Sequence, residues 1–413
     1  MPPTASDAAR RNVRLYYAFI FLMDFGLWSG IWIKYLTVGQ GLQLRWILAM
    51  DLPFWLLVAT LNAPLGALAD HIGRKKVLAI GAALFSLTVL GFGFTSNYWL
   101  LFFDYVLWAF AMAMRSGADQ ALVYDSLKEA GEEGRFSRVA GRGFAVTLTA
   151  GLAGVVIGGF VAAGTSLAFT VQISALGPLA AVAVALAMRE PHTAAIERHY
   201  WRDLRRGMSF AWNHPQIRYV MLFGSVLLTA GFVPVVLIQP FLIDYDVPTS
   251  LYGIYQAPLR IVSVVAAMVA FRLAAKAGLP RMFLMGSAGM VIAYSGIALI
   301  DAQAAFAFFA IPSVIHGLVR PTLDNYINER TPSERRATVL SVLSLFLSLE
   351  LAFFEPILGF VADGISIQAA MAVSAGTFLV VLPPLFWLWR REHHRPPPGT
   401  GDAPAPVEAV AVA

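Results

Sequence analysis

Twelve long apolar runs dominate this chain and decide what it can fold into. A helix needs about 20 mostly apolar residues to cross the hydrocarbon core of a bilayer, and each run has roughly this length. The predicted spans, numbered 1 to 12 in chain order, are residues 15–38, 44–69, 77–94, 98–122, 143–163 and 167–188, then 219–243, 251–275, 282–300, 304–326, 337–361 and 365–389. The sequence therefore predicts an all-α membrane protein with about twelve transmembrane helices.

The composition supports the same class. Charged residues make up 13% of the chain and hydrophobic residues 58%, against roughly 25% and 45–50% in soluble domains. This balance excludes a disordered or coiled-coil protein and argues against a soluble enzyme. Because the chain has no cysteine, it has no disulfide, no thiolate metal site and no cysteine nucleophile.

Polar segments divide the chain into two predicted six-helix bundles. The first bundle covers residues 15–188 and the second covers residues 219–389, with a polar linker at 189–218 that is amphipathic around 200–212. The polar N-terminus, residues 1–14, lacks the apolar stretch of a signal peptide. The Pro- and Ala-rich tail, residues 390–413, is predicted to be disordered.

The basic residues predict how the chain sits in the membrane. Of the 30 lysines and arginines, all but five lie on or beside one face of the predicted bundle; the exceptions are Lys34, Arg45, Arg115, Arg260 and Arg320. Cytoplasmic loops carry an excess of Lys and Arg, so this face and both termini are predicted to be cytoplasmic. The expected location is the cell (inner) membrane. The net charge of +5 then reflects topology, and no nucleic-acid partner is expected.

A repeated charge pattern predicts that the two bundles are related. Span 4 ends with Arg115 and Asp119, and span 10 ends with Arg320 and Asp324, each as an Arg-x-x-x-Asp step. Spans 5 and 11 then end with the same Gly-Phe-Val-Ala string. Two parallel six-helix halves are an arrangement of secondary transporters, and the four charged residues are candidates for a gate on the cytoplasmic side. The alternative is chance, since i,i+4 ion pairs are common.

The segment between spans 2 and 3 carries a specific motif. It reads Gly66-Ala-Leu-Ala-Asp70-His-Ile-Gly73-Arg74-Lys75-Lys76. This resembles the signature cytoplasmic loop of the major facilitator superfamily at every signature position, and the resemblance extends from residue 15 to about residue 389. The equivalent loop of the second half departs from the pattern, with Ala275 in place of the aspartate.

The resemblance implies a role for this loop. In the family, the aspartate and the basic cluster form a charge network with an acidic residue after span 4, best matched here by Asp125, that latches the two halves in the outward-open state. The implied latch residues are Gly66, Asp70, Gly73, Arg74, Lys75, Lys76 and Asp125. The simpler interpretation of the basic residues is positive-inside anchoring, and both can hold at once.

Span 5 contains a run of glycines that bears on the direction of transport. Gly154, Gly158 and Gly159 resemble the string of the family's proton-coupled exporters, except that Val155 stands where a proline is expected. The resemblance implies efflux driven by protons. The alternative is close helix packing, for which small residues are sufficient.

Carboxylates within the spans are candidates for carrying the driving proton. A charge at the bilayer centre costs about 2.5–3.5 kcal/mol on insertion scales, so such groups are expected to face protein or a wet cavity. Asp24 and Glu350 are the first candidates because they lie near mid-span, and the others are Asp51, Asp104 and Glu355. The alternative is that these acids are permanently paired, for example Lys34 with Asp51 or Arg260 with Glu350. A free Arg260 would instead bind an anionic group of a substrate.

Aromatic residues near these charges are candidates for a substrate cavity. They could enclose amphipathic molecules and hold cations on their ring faces. The predicted lining residues, with Arg260, are Trp28, Trp32, Trp55, Tyr105, Trp108 and Tyr255. The alternative is ordinary packing or an interfacial aromatic belt.

Together these features predict a secondary active transporter that works by alternating access. The expected mode is proton-coupled export of small amphipathic or drug-like molecules. The alternatives are import or uniport of a small anionic or polar solute organised on Arg260, and a non-transporting membrane receptor or assembly factor on the same fold. The chain has no P-loop for ATP and no metal-ligand set, so no enzyme activity, metal or cofactor is expected. The expected partners are a small-molecule substrate, protons and lipid, with the chain acting as a monomer.

Overall fold

The computed structural model describes residues 5–191 and 200–394. Within them, eleven helices are long and apolar enough to cross a membrane, and a bent pair, Ala5–Gly30 with Trp32–Gly39, turns by 49° and makes a twelfth. The described residues contain no β-strand. The prediction of an all-α protein with about twelve spans is confirmed.

The first half contains spans 1 to 6, several of which are interrupted. Their helices are Ala5–Asp24 followed by the short turns Leu27–Gly30, Trp32–Lys34 and Tyr35–Gly39 (span 1), Leu44–Ala49 and Asp51–Ile72 (span 2), Arg74–Phe94 (span 3), Tyr98–Arg115 and Ala118–Glu129 (span 4), Phe136–Gly164 (span 5), and Leu167–Ser174 and Leu176–Ala187 (span 6).

The second half contains spans 7 to 12 and follows a separate linker helix, Tyr200–Asn213. Its helices are Pro215–Phe232 and Pro234–Asp244 (span 7), Tyr252–Ala277 (span 8), Leu279–Leu299 (span 9), Ala310–Glu329 after the turn Gln303–Phe309 (span 10), Ser333–Gly364 (span 11) and Ile367–Glu392 (span 12).

Several helices begin earlier in the chain than predicted. Helix 1 begins at Ala5 rather than residue 15, span 5 begins at Phe136 and span 11 begins at Ser333. Hydropathy detects only the part of a helix in hydrocarbon, whereas backbone hydrogen bonds continue into the polar region. The boundaries predicted at 14/15 and 389/390 therefore fall inside helices. Residues 1–4, 192–199 and the predicted tail from 395 lie outside the described residues.

The loops define two sides of the molecule. The side with the turns at 73, 130–132, 189–191 and 330–332 carries most of the basic residues, and we call it the basic side. The other side, with the turns at 40–43, 95–97, 165–166 and 300–302, is called the opposite side. The linker helix lies at the basic side, where Gly207 packs against Thr338 of span 11 and Phe210 is buried.

The two halves meet near the opposite side. A Cβ atom on Gly159 of span 5 would lie 3.0 Å from the carbonyl oxygen of Thr249, and one on Gly359 of span 11 would lie 3.1 Å from the Leu48 side chain of span 2. Farther towards the basic side, no described atom outside its own helix backbone lies within 4 Å of the Cβ position of Gly66 on span 2. The ion pairs on that side, Arg74 with Asp125 and Arg320 with Asp324, also stay within one half. The described contacts thus close the halves on the opposite side and leave them apart on the basic side.

Candidate functional site

The helix of span 1 is interrupted in the middle of the span. Two glutamines of the second six-helix half form hydrogen bonds with backbone groups next to this interruption. The Oε1 atom of Gln239 on span 7 accepts hydrogen bonds from the backbone N–H groups of Ile33 and Lys34, with N···O distances of 3.0 and 3.2 Å. Gln256 of span 8 donates to the carbonyl oxygen of Gly30 at 2.9 Å. Both glutamines are buried. Sequence reasoning missed them; uncharged polar residues inside apolar runs were the available signal.

Asp24 ends the first helix of span 1 and forms a two-pronged ion pair with Arg115 of span 4. The two carboxylate oxygens accept from the guanidinium nitrogens at 2.5 and 2.8 Å, and Thr147 of span 5 donates to the same carboxylate at 2.7 Å. Asp119 lies 3.7 Å from Arg115 Nε. Asp24 thus fits the alternative in which an intramembrane acid is permanently paired.

The predicted gate residues of the two repeats differ in their surroundings. Arg320 pairs with Asp324 on its own helix, at 3.0 Å, whereas Arg115 joins another span. Arg115 also lies deeper than predicted, because span 4 continues to Glu129. Among the described residues, neither pair forms a salt bridge to the other half, so these residues do not form a gate between halves in this conformation.

Asp51 and Glu355 meet where span 2 packs against span 11. Trp55, one turn after Asp51, donates its indole N–H to Glu355 Oε2 at 2.8 Å. Glu355 is fully buried and Asp51 is 5% exposed. Asp51 Oδ2, Glu355 Oε1 and the nearby Tyr105 hydroxyl have no hydrogen-bond partner among the described residues. This is a buried acidic pair shared by both halves, with no salt bridge to a described basic residue.

Glu350 lies on span 11, nearer the basic side than Glu355. Its carboxylate oxygens accept from the hydroxyls of Ser225 and Thr229 on span 7, at 2.6 and 2.5 Å. The residue is half-buried. Two hydroxyls one turn apart hold this carboxylate in a fixed orientation without neutralising it.

The ion pairs considered as alternatives, Lys34 with Asp51 and Arg260 with Glu350, are absent from the described part of the chain. Lys34 instead lies over the ring of Tyr252, 4.5 Å from its centroid. Arg260 of span 8 is exposed and has no hydrogen bond or ion pair to a described residue. Its guanidinium lies beside span 5, where Nη1 is 3.3 Å from the Cβ position of Gly151.

Asp104 points away from the contact between the halves. Its Oδ2 lies 2.6 Å from the Cβ position of Gly91 on span 3, so the glycine makes room for the carboxylate. Span 3 packs against spans 4 and 6 of its own half. This location separates Asp104 from the other candidate acids.

The predicted cavity aromatics fall into two groups. Trp28 and Tyr105 are buried in a packed cluster, with the Trp28 ring 5.3 Å from that of Trp108. This burial fits the packing alternative and does not fit a cavity lining for these two residues. The half-exposed members are Trp32, Trp55, Trp108 and Tyr255.

The signature loop forms a charge network inside the first half. Arg74 makes ion pairs with Asp125 and, at 3.3 Å, with Asp70. Glu190, which sequence reasoning missed although it directly follows span 6, accepts the backbone N–H groups of Arg74 and Lys75 at 2.7 and 2.9 Å. It thereby satisfies the first N–H groups of span 3. The latch between halves that the resemblance implies concerns the other conformation and stays a prediction.

Three of the predicted latch residues, Gly66, Gly73 and Lys76, are not members of the described ion pairs. Gly73 adopts a φ of 101°, which glycine tolerates and L side chains do not. Lys76 and Gly66 have no hydrogen bond or ion pair to a described side chain.

The glycine string of span 5 lets backbones approach closely. A Cβ on Gly154 would lie 2.9 Å from the carbonyl oxygen of Gly26, and one on Gly158 would overlap the carbonyl oxygen of Leu27. The broken segment of span 1 therefore needs these glycines, which is the packing alternative.

Two six-helix halves closed on one side and open on the other are the architecture of a secondary transporter. A sequence profile of the Major Facilitator Superfamily matches residues 15–353 and 262–411, and the chain belongs to this superfamily. Family and fold point to a transporter rather than an enzyme.

Similar proteins agree with this assignment. An uncharacterized MFS-type transporter of Methanocaldococcus jannaschii is 33% identical over 82 residues, which cover 20% of this chain and 21% of that relative. The nucleoside transporter NupG has a TM-score of 0.74 at 15% identity, covering 94% of this chain and 100% of its own. A bacterial homologue of the human lysosomal transporter Spinster, in an inward-facing and unoccupied conformation, has a TM-score of 0.70 at 16% identity, covering 95% and 98%. A POT family transporter in complex with a thioalcohol-conjugated peptide has a TM-score of 0.71 at 12% identity, covering 92% and 96%. At these identities the solved structures show the fold alone.

Proposed function

We propose that this secondary transporter couples protons to the export of small amphipathic molecules. In this proposal it acts as a monomer in the cell (inner) membrane, with its basic side and both termini in the cytoplasm. One observation carries the proton coupling: Asp51 and Glu355, from opposite halves, are buried together without a basic partner among the described residues.

The pair can link protonation to the conformational cycle. Two carboxylates buried side by side repel each other when both are charged, so closing spans 2 and 11 requires a proton on the pair. Loss of that proton favours separation of the halves on the opposite side. Protonation thus favours the conformation seen here, and deprotonation favours the one open to the other compartment.

Glu350 provides an acceptor for a proton that leaves towards the basic side. It precedes Glu355 by five residues, about 7.5 Å along the axis of span 11. It is half-exposed and has no salt bridge to a described basic residue. In an exchanger, substrate binding from the cytoplasm would accompany this release, and the deprotonated pair would then open the opposite side.

Two further features support the substrate class and the direction of transport. The half-exposed Trp32, Trp55 and Trp108 offer apolar faces for an amphipathic molecule. The glycine string of span 5 resembles that of proton-coupled exporters, although packing accounts for it as well.

The test is flux in proteoliposomes with an imposed pH gradient, using a lipophilic cation, a neutral drug and an organic anion. We expect Asp51→Asn or Glu355→Gln to lose gradient-driven accumulation while retaining exchange of substrate down its own gradient. Asp104→Asn is the matched control, because that carboxylate lies between spans of one half. Wild-type gradient-driven flux in both pair variants would contradict the proposal.

A second candidate is import or uniport of a small anionic or polar solute. The observation that favours it is Arg260, an exposed guanidinium without a described partner. Anion movement that needs no pH gradient and is lost in Arg260→Ala would favour this candidate. Absence of any flux would favour a non-transporting receptor or assembly factor.

A further inference from the structure

Of the contacts that glycines make between spans 5 and 8, the one nearest the basic side involves Arg260. Starting from the opposite side, Gly159 lies against Thr249, and Gly253 lies against the backbone of Val156. The next contact is between Gly151 and the guanidinium of Arg260, at 3.3 Å. Two turns closer to the basic side on the same face of span 5, Phe144 is 60% exposed, so Arg260 lies where the two halves part, at the inner end of the opening to the basic side.

Arg260 differs from the other basic residues in the spans. It lies 17 residues, or about 25 Å along the helix axis, from the basic-side end of helix Tyr252–Ala277. The four other basic residues that do not belong to the basic side all have a partner: Arg115 with Asp24, Arg320 with Asp324, Arg45 with Asp363, and Lys34 over the Tyr252 ring. No described carboxylate or hydroxyl bonds to Arg260.

A positive charge at this depth needs a compensating anion. Its cost in the membrane is lowered by water in the opening, and it is lowered further by a carboxylate or phosphate that accepts two hydrogen bonds from the guanidinium. Gly151 has no side chain, so span 5 contacts one side of the guanidinium without donating or accepting a side-chain hydrogen bond, and the rest of the exposed guanidinium is left for a ligand.

We infer that Arg260 binds an anionic group of the transported molecule, which makes amphipathic organic anions the substrate class. This rests on the proposed transport function but not on its direction or on proton coupling. Gly151 is the neighbouring position that sets how close a ligand approaches the guanidinium.

The first experiment measures the local charge directly. Since the chain has no cysteine, Gly151→Cys introduces a single thiol beside Arg260, and its Cβ would meet only the flexible end of the arginine. Methanethiosulfonate reagents with a sulfonate or a trimethylammonium group are compared on the full chain. We expect the sulfonate reagent to be favoured by about tenfold, as an adjacent positive charge raises the local anion concentration.

The control variants separate Arg260 from the general charge of the protein. Adding Arg260→Gln to Gly151→Cys is expected to abolish the preference. Adding Arg272→Gln, an exposed arginine on the same helix, is expected to leave it unchanged. Equal labelling by both reagents, or a preference that survives Arg260→Gln, would overturn the inference.

The second experiment measures binding without any gradient. Calorimetry compares 1-naphthoate, 1-naphthylmethylamine and 1-naphthalenemethanol, which share a ring system and differ in charge. We expect wild type to bind naphthoate best and Arg260→Gln to weaken it by about tenfold or more, while Arg260→Lys retains part of the affinity and the alcohol is unaffected. No naphthoate binding by wild type, or equal binding by Arg260→Gln, would contradict the inference. Naphthoate binding in a protein that shows no gradient-driven flux would refute only the proton coupling.

Discussion

The side-chain oxygen of Gln239 on span 7 accepts the backbone N–H of Ile33 on span 1 at 3.0 Å, and so joins the halves on the opposite side. The same oxygen accepts from Lys34, and Gln256 donates to Gly30. A break in a membrane helix leaves backbone groups that need partners. Closure of the opposite side therefore coincides with satisfaction of the broken backbone, and opening requires water to replace the glutamines.

Replacing Gln239 is expected to shift the molecule towards the conformation open on the opposite side. Gln239→Leu leaves the buried N–H of Ile33 and the half-buried N–H of Lys34 unpaired in the closed arrangement, at about 1–3 kcal/mol for a buried group. The population ratio should change by about tenfold or more. Spin labels on cysteines introduced at exposed positions on the opposite side, in this cysteine-free chain, report the distance between the halves.

Gln172 offers a matched comparison for this experiment. It donates to the Gly93 carbonyl oxygen at 2.8 Å, but both residues belong to the first half. Gln172→Leu should lower stability and leave the distribution of distances unchanged. An unaltered distribution in Gln239→Leu would refute the role of the glutamine in closure.

Breaking the ion pair between Asp24 and Arg115 is expected to destabilise the first half. Asp24→Asn or Arg115→Gln leaves one charge inside the bundle, and removing one member of a buried pair costs about 3–5 kcal/mol; the partial exposure of this pair, 18% and 25%, makes about 2–3 kcal/mol a closer expectation. Because Asp24→Asn together with Arg115→Gln removes both members of the two-pronged pair and leaves only Asp119 without its arginine, the double variant should recover part of the loss. Thermal unfolding in detergent, followed by tryptophan fluorescence, measures it.

The pair in the second repeat serves as the control. Arg320 and Asp324 lie on one helix and are more exposed, so Arg320→Gln should cost less than about 1 kcal/mol. Additive losses in the double variant would show that Asp24 and Arg115 do not act together.

A methyl group at Gly158 is expected to be poorly tolerated. Its Cβ would overlap the Leu27 carbonyl oxygen, and backbone cannot move aside as a side chain can, so Gly158→Ala should cost at least about 1–3 kcal/mol. Gly141 lies on the same helix in open space, and Gly141→Ala should instead stabilise by about 0.5–1 kcal/mol. Unfolding temperatures of the two variants give the comparison, and equal values would contradict the close packing.

Acidification is expected to weaken the basic-side end of the second half through His393. Burial and the nearby Arg330 and His394 lower the pKa of His393 from 6.5 to about 4, and its ring packs against Tyr326 and Trp389. The folded protein prefers the neutral ring. The contribution of His393 to stability is therefore complete above pH 6.5 and declines as the pH falls towards 4.

Unfolding temperatures at pH 7.5 and pH 5 test this behaviour. His393→Gln has no ring to protonate, so its loss of stability between the two pH values should be smaller than that of wild type. His71→Gln, at an exposed position in the last turn of span 2, should behave as wild type. A wild-type acid sensitivity in His393→Gln would place its source elsewhere.

Some parts of the site were accessible from sequence. The pairing of Arg74 in the signature loop with Asp125 was predicted from sequence, because the family resemblance indicated a partner 51 residues away. Asp24 and Arg115 are 91 residues apart, and no pattern linked them. The candidate acids looked alike in sequence, yet Asp51 and Glu355 meet between the halves while Asp104 faces Gly91 of its own half. A step of one residue turns a helix by about 100°, so which neighbour a polar group meets depends on helix rotation that hydropathy does not specify.

Hydropathy, charge bias and the signature loop were sufficient for the class of fold, the number of spans and the two-half organisation, because helix length and insertion depend on the sum of local side-chain properties. Tertiary structure alone decided that Asp24 is paired with Arg115, that Arg260 has no partner in the described part of the chain, and that Gln239 meets the break in span 1. Each of these depends on contacts between helices far apart in the chain. In a low-dielectric interior, the presence or absence of one such partner determines what a polar group can do.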